Sequence, residues 1–390
     1  MHIGVVRESA AGEARVALVP ELVGRLTQAG YVVAVESGAG AAARFFDDAY
    51  AAAGATVIDD PVTGADLVLS VQPLATEMLG RLEPGAATIS FFPAAARLVD
   101  IAHRQDRQLT TFGMEYVPRI SRAQPMDALS SQSLVAGYRA AVVAAGRLRQ
   151  FFPLNMTSAG TVAPAQVVVL GAGVAGLQAI ATCRRLGAVV KGYDVRAAAA
   201  EEIRSMGAVA IELTLPTLEG SGGYAREMTE ERAQQQRDLL APYVAAADAL
   251  ITTAAVPGRQ APILVTRATI AAMRPGSVVV DLAAESGGNV EGAVPGSVVA
   301  VGDVQLWGGS NVASQMPAPA SRLYAQNVVN VVLLMTRDGA FAPDFADEIV
   351  AAMALTHAGA VRHAPTQALI EQEAPSTLRQ AQGTDPGNRT

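Results

Sequence analysis

The stretch QVVVLGAGVAGLQAIATCRRLGAVVKGYD, residues 166–194, decides the fold. Gln166 to Leu170 is a β-branched apolar run that leads directly into Gly171-Ala-Gly173-Val174-Ala-Gly176, and an Ala-rich helical pattern continues to Leu186 and Gly187. Each glycine has a physical reason: Gly171 permits a tight turn, Gly173 lets the backbone approach a pyrophosphate, and Gly176 lets the helix pack closely on the strand. The helix N-terminus then offers N–H groups and a partial positive charge to phosphate. A second strand, Val189 to Tyr193, ends in Asp194, where a carboxylate accepts hydrogen bonds from an adenosine ribose. The unit predicts a Rossmann nucleotide-binding domain. A carboxylate at 194 repels the extra phosphate of NADP and favours NAD(H), whereas Arg196 would suit a 2′-phosphate.

Upstream, apolar runs alternate with helical patterns: His2 to Val6, Pro20 to Ala29, Val32 to Glu36, Asp47 to Ala53, Thr56 to Ile58 and Leu67 to Val71. That alternation predicts a first α/β domain with a parallel sheet covered by helices. Met126 to Phe152 reads as a long connecting helix that Pro153 ends. The second domain starts with a strand at Val162 to Leu170 and continues to about Leu282. Within it, Leu215 to Asp238 carries Gly220, Gly222, Gly223 and many charges, and is longer than an ordinary loop. Ser321 to Arg337 predicts a last helix with a Ser cap. The expected fold class is α/β, with two Rossmann-like domains of parallel sheets joined by long helices. Residues 1–130 and 318–375 would form a discontinuous first domain, 131–317 the NAD-binding domain, and 376–390 a disordered polar tail.

Composition narrows the function. The 390 residues suffice for two or three domains. A net charge of -7 without a basic block argues against a nucleic-acid footprint. The positive mean hydropathy comes from scattered Ala and Val. Its most apolar stretches, Tyr243 to Pro257 and Val328 to Met335, either carry Asp248 or are too short to cross roughly 30 Å of hydrocarbon, so a soluble chain is expected. Met1 to Val6 runs into Arg7 and Glu8 rather than a signal peptide. The single cysteine, Cys183, excludes an intrachain disulfide, reads as a core residue and fits a reducing cytoplasm. No metal site is expected.

A dehydrogenase acting on an alcohol or amino acid must move a proton as well as a hydride, normally through His, Lys or Tyr. Lys191 is the only lysine, and His2, His103, His357 and His363 fall outside any glycine-rich or strand-terminal motif. Hydride exchange between two nicotinamide rings needs no acid or base, only rings held about 3 to 3.5 Å apart and kept from water. The segment Arg119-Ile120-Ser121-Arg122-Ala-Gln124-Pro-Met-Asp127-Ala-Leu-Ser130 concentrates cations, an amide, a carboxylate and a hydroxyl where a cleft between two domains is expected. The same residues also read as a plain helix start, with Asp127 in the first turn and Ser130 paired locally.

This segment, extended to RISRAQPMDALSSQSLVAGYRA, resembles the signature loop of the proton-translocating nicotinamide nucleotide transhydrogenases, in the NAD(H)-binding component of the α subunit. The likeness continues through VVLGAGVAGLQAIATCRRLGA, YDVRAA, GGYAREM, TTAAVPGRQAPILVT and DLAAESGGNVE to SRLYAQNVVN, and covers the chain to about residue 337. The resemblance implies a homodimer that binds NADH, docks on a membrane subunit and on a β subunit carrying NADP(H), and transfers hydride directly, coupled in the complex to proton translocation. It implies that Arg119, Gln124, Asp127 and Ser130 position the nicotinamide with its ribose and phosphate, with Ile120, Ser121 and Arg122 beside them. Tyr224 and Met228 match a mobile loop that closes over nucleotide, Gly223 and Gln236 match positions lining the NAD site, and Asp194, Val195, Arg196 and Ala255 match the adenosine side.

Two departures stand out. The family more often reads Asn-Val-Pro-Ser-Arg where this chain has Asn311-Val-Ala313-Ser-Gln315, and Gly308 and Gly309 replace bulkier residues. The chain ends without membrane helices, which suggests the split form, cytoplasmic and peripheral to the inner membrane through its partners. Alanine dehydrogenase is similar in fold and in Arg15-Val-Ala-Leu, but that family uses a lysine and a histidine where this chain has, approximately, Val71 and Phe92. The competing readings are an alanine-dehydrogenase-like amino acid oxidoreductase and a non-catalytic NAD-responsive binding protein.

Overall fold

The computed structural model describes residues 1–214, 229–255 and 260–373. The chain divides into two compact units. One holds Met1–Ala11, Arg15–Ala128 and the stretch from Ser321 onward, and the other holds Gly12–Ala14 and Leu129–Ala320. The helices Ala128–Arg147 and Pro317–Leu334 carry the chain from one unit to the other.

The sheet of the second unit has the strand order Val209–Ala210, Val189–Tyr193, Gln166–Leu170, Ala249–Thr252, Val278–Asp281, Val304–Gly308, Val298–Val301. All neighbours are parallel except the last pair. The valine run explains why helices cover both faces. Successive side chains point to opposite sides, so Val167 and Val169 pack with Ile180, Cys183 and Ala144, while Val168 and Leu170 pack with Leu240, Val244 and Ile270. Burial pushes the Cys183 thiol up to about 12, so it is a core side chain and not a nucleophile.

The first unit has an eight-stranded sheet in the order Ala360–Val361, Ala354–His357, Thr110–Gly113, Ala87–Ser90, Leu67–Leu69, His2–Val5, Val32–Glu36, Thr56–Ile58. Its six N-terminal strands are parallel, and the two strands from the far end of the chain join antiparallel. Carboxylates tie the loops beyond the strands. Glu8 accepts the N–H groups of Val71 (2.5 Å) and Gln72 (3.2 Å), and both Glu115 oxygens accept the Phe92 N–H at 2.8 and 2.7 Å. These bonds favour the ionised form, yet burial outweighs them and pushes the Glu115 carboxyl up to about 7.

Several boundaries differ from the sequence reading. Pro164 lacks an N–H, so the Rossmann strand begins at Gln166, and Val162 belongs to a separate hairpin, Asn155–Thr157 with Gly160–Val162. The long helix runs over Ala128–Arg147 and not from Met126 to Phe152, because Ser121–Met126 forms a 3-10 turn ended by Asp127 at ψ 89°. The last helix starts at Pro317, where proline suits a first turn. Ser321 therefore lies inside it, and its hydroxyl accepts the Val16 N–H at 3.0 Å instead of capping. Of the long interruption Leu215 to Asp238, residues 215–228 lie outside the described residues, and Thr229 caps a helix, Glu230–Ala245.

A carboxyl raised by folding is protonated in the folded state when the unfolded chain has already ionised. Stability therefore falls as pH climbs from about 4.5 to about 7 and is level with respect to this group above that. Denaturant midpoints measured across this window should show the decline in the native sequence, and Glu115→Gln should flatten it.

Candidate functional site

The glycine turn is walled in by its own packing. Gly171 has φ +96°, and a Cβ there would stand 2.7 Å from Thr253 Oγ1. A Cβ on Gly176 would stand 1.8 Å from the Gly171 carbonyl oxygen, so the helix Val174–Arg185 can dock on the strand only without a side chain at that point. At Gly173 a Cβ would meet nothing within 4 Å, and Gly173 and Val174 are exposed. The turn is thus closed by sterics at 171 and 176 and open at 173. Among the described residues no side chain caps the helix start, so its dipole and first N–H groups remain available to an anion.

Asp194 ties the second strand to this turn. Its Oδ2 accepts the Ala172 N–H at 2.7 Å, and its Oδ1 accepts from Arg196 N (2.9 Å) and Nε (3.0 Å). The Arg196 guanidinium also donates to the Ala172 carbonyl at 3.1 Å. The arginine that would suit a 2′-phosphate is therefore already paired with the carboxylate that opposes one. Val195 packs at the margin of the core beside Leu240, and Ala255 is exposed past the strand Ala249–Thr252.

The opposite wall of the turn depends on residues that the sequence reading did not single out. Asp281, fully buried at the end of its strand, accepts the Thr252 hydroxyl (3.0 Å) and the N–H groups of Ala283 (2.9 Å), Asn289 (2.9 Å) and Val290 (3.1 Å). Burial raises its pKa against these four bonds. Asn289, also fully buried, accepts the Ala254 N–H at 2.9 Å and donates to the carbonyls of Ala254 (2.7 Å) and Pro262 (2.9 Å). Together they hold Thr253 and Ala254 against Gly171. The one available signal was positional: Asp281 ends an apolar strand, and ligands of open α/β sheets sit beyond the carboxyl ends of strands.

Gln236, on the helix Glu230–Ala245, is 2% exposed, and neither its Oε1 nor its Nε2 has a hydrogen-bond partner among the described residues. Leaving a buried polar group unpaired costs about 1 to 3 kcal/mol, which a bound polar ligand would recover. Gly223, Tyr224 and Met228 lie outside the described residues.

The polar loop belongs to the first unit from Arg119 to Asp127, whereas Ser130 is in the second unit. Arg119 and Gln124 are exposed, Ile120, Asp127 and Ser130 are half-buried, and Ala123 is fully buried beneath the turn. Ser121 is exposed at its start. Arg122 pairs with Asp347 (2.7 and 3.2 Å) and Glu348 (3.3 Å), and Asp347 itself caps the helix Glu348–Met353. Its charge is spent on anchoring the loop within the first unit.

The two departures from the family pattern also find a physical account. Ala313 is buried beside Val135 and Ala320, and Gln315 accepts from Arg139 Nε at 3.1 Å, a partner that an arginine at 315 could not offer. A Cβ at Gly308 would stand 2.2 Å from the Val294 carbonyl oxygen, and one at Gly309 would stand 2.8 Å from Val312 Cγ2. Asn311 and Ser314 bond to Gly12 and so bring Gly12–Ala14 into the second unit.

Among the described residues no group of His, Cys, Asp or Glu could hold a metal ion, and no helix is long and apolar enough to cross a membrane. His357 is engaged with Thr110 (3.0 Å) and His363 with Thr366 (2.7 Å), and Lys191 lies over the Tyr243 ring at 5.6 Å. The second unit contains no histidine.

Residues 4–136 match the model of the alanine dehydrogenase/PNT N-terminal domain, and residues 140–364 match that of the C-terminal domain. The chain is 42% identical over 376 residues to the first part of NAD(P) transhydrogenase subunit alpha of Rhodospirillum rubrum, covering 93% of this chain and 98% of that protein. The crystal structure of a transhydrogenase from Sinorhizobium meliloti superposes with a TM-score of 0.83 at 43% identity, covering 93% of this chain and 99% of the other. Alanine dehydrogenase of Mycobacterium tuberculosis is more distant, 30% identical over 372 residues, covering 93% of this chain and 94% of that protein. The chain is thus a member of the alanine dehydrogenase/PNT family, nearer in sequence to these transhydrogenase α subunits than to this alanine dehydrogenase.

Proposed function

We propose that this chain is the NAD(H)-binding subunit of a proton-translocating NAD(P) transhydrogenase, in which hydride passes directly from NADH bound here to NADP+ held by a partner β subunit. One observation favours hydride exchange over substrate oxidation. Val71 and Phe92, at the approximate positions where alanine dehydrogenases use lysine and histidine, are fully buried apolar side chains, and Phe92 lies under the Arg104 guanidinium at 4.5 Å. Neither of these two side chains can serve as an acid or a base.

The residues present fit a dinucleotide. Gly171, Gly173, Val174 and Gly176 would hold the pyrophosphate through backbone N–H groups and the helix dipole. Asp194, Val195, Arg196 and Ala255 would take the adenosine side, and the Gln236 amide would find its partner in the same ligand. Arg119, Gln124, Asp127 and Ser130 would orient the nicotinamide end. Bound NADH supplies the hydride, so the side chains need only orient the ring and keep water away. The chain is read further as a homodimer, peripheral to the membrane and working with a membrane subunit and an NADP-binding subunit. The Rhodospirillum relative is named as the first part of a subunit alpha, and that name supports a divided assembly of this kind.

Mixing the chain with NADP-binding and membrane subunits should restore hydride transfer from NADH to an NADP analogue. No transfer with any such partner would end this reading. With alanine or other amino acids and NAD, the chain alone should give no turnover. Asp127→Asn and Gln124→Asn should slow transfer by roughly a hundredfold while NADH affinity changes little, since misplaced reactants lose rate before they lose binding. Equal losses in both would make the loop a binding element only. Asp194→Ala should weaken NADH by about tenfold, or about 1.4 kcal/mol, and narrow the preference over NADPH, as titration calorimetry would show.

A further inference from the structure

The helix Pro317–Leu334 carries a polar series at three-residue intervals, Ser321, Tyr324, Asn327 and Asn330, to which the reaction described above gives no role. Within the first unit each of these side chains meets backbone outside its own helix. Ser321 Oγ accepts the Val16 N–H, and the Tyr324 hydroxyl donates to the Ser70 carbonyl at 2.8 Å. Asn327 Nδ2 and Asn330 Nδ2 converge on a single acceptor, the Pro125 carbonyl, at 2.8 and 2.9 Å. Two amide donors there fill both lone pairs of that oxygen. The Asn330 amide is itself oriented, because its Oδ1 accepts from Arg25 Nη2 (3.2 Å) and Gln326 Nε2 (3.0 Å).

Pro125 stands between Gln124 and Asp127. Its ring fixes φ, and the two amides hold its carbonyl, so the peptide plane leading to Met126 has little freedom. The neighbours are held as well: Arg122 by Asp347 and Glu348, Ala123 and Met126 by burial. The loop is pinned at 122, 123, 125 and 126, which leaves Gln124 exposed and Asp127 half-buried in set directions.

We propose that Asn327 and Asn330 are positioning residues for hydride transfer, acting through the Pro125 carbonyl to set the directions of Gln124 and Asp127. The inference rests on the proposed transhydrogenase reading. Neither asparagine is among the residues assigned above to the nucleotide, and both amides are engaged with the Pro125 carbonyl. Their removal loosens the loop without removing a binding group, and a displacement of about 1 Å at the reacting centre can cost on the order of a hundredfold in rate.

The test uses the complex reconstituted with NADP-binding and membrane subunits, with single-turnover transfer and NADH affinity measured side by side. Asn327→Ala and Asn330→Ala should each keep much of the rate, because the remaining amide still holds the carbonyl. The double variant should lose at least about tenfold, more than the two single losses combined, with NADH affinity within about twofold of the original. The isosteric double variant Asn327→Asp with Asn330→Asp should lose as much, since volume is kept and donors are lost. Amide hydrogen exchange over residues 120–127 should quicken in both double variants. Arg322→Ala, on the same helix but with its guanidinium paired to Glu21 and lying over the Phe45 ring instead of meeting the 120–127 loop, should transfer hydride normally. Wild-type rates in the double variants would overturn the inference, as would a loss of NADH affinity in proportion to the rate or an equal loss in Arg322→Ala. An inactive native complex would overturn the transhydrogenase reading and this inference with it.

Discussion

A strand, a turn and a helix meet at Gly171 and Gly176 with no room for a side chain, and the nucleotide-binding half of the molecule is built outward from that contact. A methyl group at 176 would overlap the carbonyl of 171, and one at 171 would overlap Thr253. The close approach aims the N-terminus of the helix Val174–Arg185 past an open Gly173. It also brings Ala172 within 2.7 Å of Asp194, so the second strand is locked to the turn of the first. Buried Asp281 and Asn289 hold the facing wall from the other side. A buried carboxylate with four donors is costly to disturb, because each donor it releases is left unpaired.

The same need governs the carboxyl edges of both sheets. Parallel strands that end in buried loops leave N–H groups that must find acceptors. In the first unit Glu8 and Glu115 supply them to Val71 and Phe92, whose own side chains are buried and apolar, so that edge offers no acid or base at those positions. In the second unit Asp194, Asp281 and Asn289 do the equivalent work, but Gly173 stays open and the Gln236 amide has no partner among the described residues. Two sheets of similar construction thus end in different ways, one with buried apolar side chains at Val71 and Phe92 and one with an open turn at Gly173.

The polar loop shows how function is divided among residues of like chemistry. Arg122, on the same loop as Arg119, anchors it through Asp347 and Glu348. Ser321 reads as a helix cap and serves instead as an acceptor inside a helix. These are differences of partner, and a partner more than two hundred residues away leaves no local mark.

The glycine spacing, the valine run and the terminal aspartate were legible in the chain by themselves, because the steric demands of a strand–turn–helix unit are local and select residue types at fixed intervals. The alternation of apolar runs likewise disclosed two α/β sheets, and the scarcity of histidine and lysine pointed away from acid–base chemistry. Boundaries were less legible. Pro164 shortened a strand, and Pro317 began a helix four residues before the serine that looked like its cap. The Asp281–Asn289 clamp, the tight packing at Gly308 and Gly309, the anchoring of Arg122 and the two asparagines on Pro125 were decided only by the tertiary structure. Most of these contacts join segments that are not neighbours in the chain, such as Asp281 with Thr252 and Arg122 with Asp347, and such pairings exist only once the sheets have brought those segments together.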